Sequence, residues 1–184
     1  ESPVTAALGE LRTLGSEWTL EHHRGISLYK IGLSETRQSN WRNLLDEARI
    51  RIREGSEGEA DLVVVAYADC RRAVSPEPSS LLEYAIDHGF SHFLVDTFDK
   101  TAGGLSEFFE WGELGDLCER ARRGGLCFVA AGSLGAEQLG AVAAAGVDVI
   151  AVRGAATAGV RTAAIDRQAV SGLTAGIRAA LSPG

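Results

Sequence analysis

Two stretches near the end of the chain decide the fold: "LCFVAAGSLG" (residues 126–135) and "DVIAVRGAA" (residues 148–156). Each is a short apolar run that closes in glycine and small residues. Where two strands end an α/β chain, such turns suit the phosphate site of a (β/α)8 barrel. There, backbone N–H groups and a helix N-terminus hold the anion. Taken alone, the first turn also reads as a tight strand-to-helix connection with Ser133 as a cap.

Four more apolar runs precede these two: "PVTAAL" (3–8), "ISLYKIGL" (26–33), "DLVVVAYA" (61–68) and "HFLVDTF" (92–98). They are almost continuously apolar, as parallel strands covered on both faces are. Between them lie stretches of helical periodicity at 37–55, 78–89, 105–125 and 135–146, several ending in glycine. In "SPEPSS" a proline and then serines precede the second of these, which predicts a cap there. A closing helix is predicted over 166–181 with Asp166 as its N-cap. Strand–helix alternation repeated about six times implies a parallel α/β sheet. A doubly wound open sheet and a TIM barrel both satisfy that pattern. Neither "GxGxxG" nor "GxxxxGK[ST]" follows the first strand, which removes the usual nucleotide-binding signature of the open sheet. If the last two strands are barrel strands seven and eight, the sequence supplies strands three to eight of one partial barrel domain over residues 1–184. The first two βα units are then expected from a separate N-terminal polypeptide, a disordered segment or a portion lost by cleavage.

The 184 residues are enough for one domain with a full core. A net charge of −7 argues against general binding to nucleic acid or to an anionic membrane surface. Three cysteines without metal spacing imply neither a disulfide framework nor a zinc site. With no signal peptide and no long apolar run, a cytoplasmic protein is expected. A homo-oligomer is left open.

Barrel active sites lie at the C-terminal ends of the strands. Lys30 ends the second run, Tyr67 and Asp69 the third, and Asp96 and Lys100 the fourth. Gly132 and Ser133 follow the fifth, and Arg153 and Gly154 the sixth. Lysine is scarce: 16 of the 18 basic residues are arginine, and the two lysines stand in similar places. An amine can lose its proton and attack a carbonyl, whereas a guanidinium cannot. The chemistry suggested is Schiff-base formation, enolisation or aldol condensation, with Asp96 carrying a proton or orienting an amine. If the fourth strand persists, Asp96 and Lys100 share a face; if it ends near Phe98, Lys100 sits on the loop rim. A structural ion pair is the plainer reading of the two. Asp61 and Asp148 begin strands and belong to the stability face. His22, His23, His88 and the charged run at 51–59 are assigned no chemistry.

At these residues the sequence resembles the (5-formylfuran-3-yl)methyl phosphate synthase family, also called 4-(hydroxymethyl)-2-furancarboxaldehyde-phosphate synthase, of methanofuran-type cofactor biosynthesis. The matching segments are "VTAALGEL", "YKIGL", "VVAYAD", "LVDTFDK", "AAGSL", "VRGAA" and "RTAAID", in the family's order. The resemblance implies a TIM-barrel lyase. It would condense two glyceraldehyde 3-phosphate molecules with loss of water and one phosphate, without a cofactor. It gives catalytic roles to Lys30, Asp96 and Lys100, and phosphate binding to Gly132, Ser133, Arg153 and Gly154. Tyr67 and Asp69 match substrate-binding positions. The family's early strand with an Asp-Val-Lys-like motif, which carries the expected Schiff-base lysine, has no counterpart in this sequence. Two other readings stand beside this one: a different class I aldolase or sugar-phosphate isomerase, and a non-catalytic phosphometabolite-binding protein.

Overall fold

The structure, a computed structural model, describes residues 3–15, 17–38, 40–157 and 162–181. Six parallel strands form one sheet whose spatial order is the chain order: β1 (Thr5–Glu10), β2 (Leu28–Gly32), β3 (Asp61–Tyr67), β4 (His92–Asp96), β5 (Cys127–Ala130) and β6 (Val149–Ile150). The helices are α1 (Leu11–Leu14), α2 (Trp41–Gly55), α3 (Cys70–Ala73), α4 (Pro78–Asp87), α5 (Trp111–Arg123), α6 (Leu139–Ala144) and α7 (Arg167–Leu181). The sequential order matters. Right-handed crossovers that always step the same way put every connecting helix on one face. A doubly wound sheet needs a reversal of strand order to cover both faces, and the described sheet has none.

Burial divides along those two faces. Tyr29, Ile31, Leu62, Val64, Ala66, Phe93, Val95 and Phe128 pack into the large core with α2, α4, α5 and α6. Their alternates Leu28, Val63, Val65, Tyr67 and Leu94 form a smaller cluster on the other face, with Val129 against it. Successive strand residues alternate between the two clusters, which is why these runs are apolar throughout. At the sheet edges this second face is open: Val149 in β6 is 46% exposed, and Thr5 and Ala7 in β1 are exposed.

Several local expectations shift. β1 runs from Thr5 to Glu10, two residues later than its apolar run. The predicted 105–125 helix divides into a 3-10 turn (Leu105–Glu107) and α5, which has a Glu110/Glu113 capping box. Pro78 is the first residue of α4 behind Glu77, and no side chain caps that end, so the serines of "SPEPSS" do not have the expected role. Proline fits there because the first helical N–H has no intrahelical partner to lose. Asp166 does cap α7: its Oδ1 accepts the Ala169 N–H at 2.7 Å. The "RTAAID" segment starts at Arg161, outside the described residues.

The first strand pair carries the irregularity that matters most below. Ala7 stands opposite Lys30, but Glu10 stands opposite Gly32, so β1 uses three steps where β2 uses two. This bulge contains Gly9 at φ +91°, a conformation that glycine reaches without strain.

The opposite end of the sheet is braced by charge. Asp61 at the start of β3 accepts hydrogen bonds from Arg49 (2.9 Å) and Arg53 (2.7 Å) and from the Leu62 N–H (2.8 Å). Burial alone would raise its pKa, but these donors outweigh that and hold it at about 2. Asp148 before β6 accepts the Phe128 N–H at 2.8 Å. Both aspartates serve stability, as their positions imply. The three cysteines are free, and burial first, then the Glu77 carboxylate, pushes the Cys70 thiol up to about 11. Among the described residues no helix is long and apolar enough to cross a membrane.

Candidate active site at the strand ends

Lys30 lies between Tyr29 and Ile31, both buried on the helix side, so strand alternation turns its side chain to the other face. It makes no hydrogen bond or ion pair among the described residues. On that same face Asp96 ends β4, opposite Tyr67 of β3. Asp96 Oδ1 accepts the Thr97 N–H at 2.8 Å and is paired with Lys100 Nζ at 2.5 Å. β4 has ended by then, so Lys100 reaches Asp96 from the rim by curling back over one turn. It also donates to the Thr97 carbonyl and to Thr97 Oγ1 (3.1 Å). Lys100 is thus held in place by Asp96 and Thr97, whereas Lys30 lines the open cleft.

A cleft of about 690 Å³ opens between these residues and the turns after β5 and β6. Lys30, Asp96, Gly132, Ser133, Arg153 and Gly154 all line it. Six of the nine residues expected at the site therefore share one cavity. Gly132 sits at φ +109°, and a Cβ there would come within 3.0 Å of Thr97 Cγ2 and 3.2 Å of Thr97 N. The Gly132 carbonyl accepts the Leu105 N–H at 2.8 Å. Glycine at this point is what lets the β5 turn press against the β4 turn. Ser133 follows in a left-handed conformation, φ +52°, and does not cap a helix. Among the described residues no group of three or more His, Cys, Asp or Glu side chains stands close enough to hold a metal ion.

Lys100, Tyr67 and Asp69 lie outside the cleft lining. Lys100 touches the site through Asp96. Asp69 is buried, and its two carboxylate oxygens accept the N–H groups of Phe98 (2.7 Å) and Asp99 (2.9 Å). That carboxylate ties the loop after β3 to the loop carrying Lys100. Tyr67 packs edge-on against Phe98, with centroids 5.3 Å apart. Its hydroxyl donates to Glu10 Oε1 at 2.5 Å. Burial, followed by the Glu10 carboxylate, pushes the phenol pKa far above its ordinary value, so Tyr67 stays protonated.

Glu10 is the residue that reading the sequence missed. Its Oε2 accepts the Ser34 N–H at 2.9 Å, so both oxygens are fixed. The available signal was the glycine inside a strand-like run, "ALGEL", since an interior strand glycine marks a bulge.

A family model described as 4-HFC-P synthase matches residues 1–174. The chain is 34% identical over 134 residues to the (5-formylfuran-3-yl)methyl phosphate synthase of Methanothermobacter thermautotrophicus, covering 72% of this chain and 56% of that protein. The enzyme of the same name from Methanopyrus kandleri is also 34% identical over 134 residues, with the same coverage. The chain spans about half the length of these curated relatives. Among solved structures, KGPDC from Streptococcus mutans superposes with a TM-score of 0.55 at 15% identity, covering 86% of this chain and 64% of that one. At that identity the likeness is one of fold.

Proposed function

Because the chain belongs to the 4-HFC-P synthase family, we propose that it forms the catalytic strand-end wall of an enzyme that joins two triose phosphates into a furan aldehyde phosphate. The observation that carries this reading is the single cleft with an amine and a carboxylate on one side and glycine turns with an arginine on the other. Gly132, Ser133, Gly154 and Arg153 suit a phosphate: the turns offer backbone N–H groups, and the guanidinium can hold the oxygens in a forked pair. Lys30 and Asp96 then face the carbon chain. Lys30 is suited to a carbonyl, either as a nucleophile when neutral or as a proton donor when charged. Asp96, already hydrogen-bonded to Lys100, can pass protons between enol and carbonyl oxygen as water and phosphate leave. The reaction class is a lyase-type aldol condensation with dehydration, on glyceraldehyde 3-phosphate. No step in this scheme needs a redox group.

We propose also that the sheet is an arc of a closed (β/α)8 barrel, completed between β6 and β1 by two further βα units. Its support is the sequential strand order, the one-sided helix layer and two sheet edges that are unpaired among the described residues.

The test is borohydride reduction of the protein from its complete reading frame in the presence of glyceraldehyde 3-phosphate. Peptide mapping and product detection follow. Furan aldehyde phosphate should form, and Lys30→Ala and Lys100→Ala should each lose most of the activity. Full activity in both variants, with no adduct on any lysine, overturns the lysine mechanism.

A further inference from the structure

Thr97 is a buried polar residue, 1% exposed, between Lys100 and the turn after β5. Its polar groups all serve one pair of side chains. The N–H donates to Asp96 Oδ1 at 2.8 Å. The carbonyl and Oγ1 both accept from Lys100 Nζ, Oγ1 at 3.1 Å. With Asp96 Oδ1 at 2.5 Å, three acceptors converge on Nζ, as many as a lysine head group has N–H donors. The remaining atom, the Cγ2 methyl, stands against the turn after β5, where a Cβ on Gly132 would come within 3.0 Å of it. The backbone of this loop is fixed independently, because Asp69 takes the Phe98 and Asp99 N–H groups. What Thr97 adds is a hold on the Lys100 side chain.

The ion pair alone is a weak fastening. The Lys100 and Asp96 side chains are 29% and 24% exposed. A partly solvated pair on a flexible four-carbon stem does not by itself fix one geometry. Asp96 Oδ1 is used twice, by the Thr97 N–H and by Lys100. Oδ2 has no hydrogen bond among the described residues, and Asp96 lines the cleft. We infer that Thr97 is a positioning residue for the proposed condensation. Its hydroxyl and carbonyl fasten Lys100 onto Asp96 Oδ1, so that Oδ2 meets the substrate in one orientation. This rests on the synthase reading of the cleft. The methyl packs against Gly132 and is separate from that hold.

Two substitutions separate the atoms. Thr97→Val replaces the hydroxyl by a methyl group, and Thr97→Ser keeps the hydroxyl and drops the methyl. The protein from its complete reading frame is trace-labelled with acetic anhydride at one pH, and Lys100 is quantified against Lys30 by peptide mass mapping. In parallel, kcat and KM are measured with glyceraldehyde 3-phosphate. Thr97→Val should raise the Lys100:Lys30 labelling ratio by about threefold or more, the order expected for one lost hydrogen bond. It should lower kcat at least about tenfold with KM within about twofold. Thr97→Ser should recover both readouts to within about twofold of wild type, as the hydroxyl alone makes the hold. An unchanged ratio in Thr97→Val overturns the proposal. So does an equal rise in Thr97→Ser, which would assign the effect to packing against Gly132. A raised ratio with wild-type kcat overturns it too, because the contact would then be structural only. If Thr97→Val does not fold, Thr97→Ala against Thr97→Ser makes the same comparison, and equal values for those two overturn the proposal. Absence of furan product from the unaltered protein overturns the synthase reading instead, and the labelling ratio then decides the hold on Lys100 by itself.

Discussion

Replacing Asp69 by alanine removes the acceptor that ties together the loops after β3 and β4. The carboxylate takes two backbone N–H groups at 2.7 and 2.9 Å and is itself 4% exposed. Hydrogen bonds to a charged acceptor contribute about 1.5–3 kcal/mol each, so two that stayed dry would cost about 3–6 kcal/mol. They do not both stay dry. Phe98 is 41% exposed and the Asp99 side chain 36%, so water can reach part of the loop once the carboxylate is gone. We expect about 2–3 kcal/mol for Asp69→Ala. Asp69→Asn keeps one carbonyl acceptor and should lose about half of that. The assay is urea denaturation followed by circular dichroism. With a slope of about 2 kcal/mol/M for a domain of this size, the midpoint should fall by about 1–1.5 M for alanine at unchanged slope. A fall under about 0.3 M would refute the assignment. Asp69 would then be free to act on ligand, as its sequence position alone allowed.

Other outcomes follow from the same geometry. Asp61→Asn should cost about 1 kcal/mol at pH 7, the full shift being discounted for partial exposure. The Asp61 pKa is depressed in the fold to about 2, so its contribution is present above about pH 4 and disappears as pH falls through 2. Paired urea titrations of wild type and variant should show the gap closing over that window. Gly132→Ala combines positive φ with the 3.0 Å approach to Thr97; a cost of about 2 kcal/mol should lower the melting temperature by about 4–8 °C. Arg153→Ala should raise KM for the triose phosphate at least about tenfold while kcat changes less, the mark of lost ground-state binding. An unchanged KM would remove Arg153 from the phosphate site.

The sheet and most of the cleft were legible because parallel strands announce themselves twice, by continuous apolar runs and by polar residues where those runs stop. Lys30, Asp96, Gly132 and Arg153 were found that way. Lys100 was left between two placements, and the end of β4 at Asp96 decides for the rim. Tyr67 and Asp69 were legible as positions but not as partners. Which side chain spends its hydrogen bonds on backbone depends on a loop about thirty residues away, as the Asp69 contacts with Phe98 and Asp99 illustrate. Glu10 escaped because a bulge breaks the two-residue parity on which strand reading rests.

That bulge gives β1 one residue to spare between Ala7 and Glu10. Most substitutions at Gly9 would strain the turn but leave Glu10 counted onto the inner face. A one-residue deletion between Ala7 and Glu10 would restore regular pairing and still leave the carboxylate opposite Gly32. In lineages of this fold, the first strand could therefore lose one residue there with its inner face unchanged, whereas a slip of register by one would turn Glu10 to the helix side.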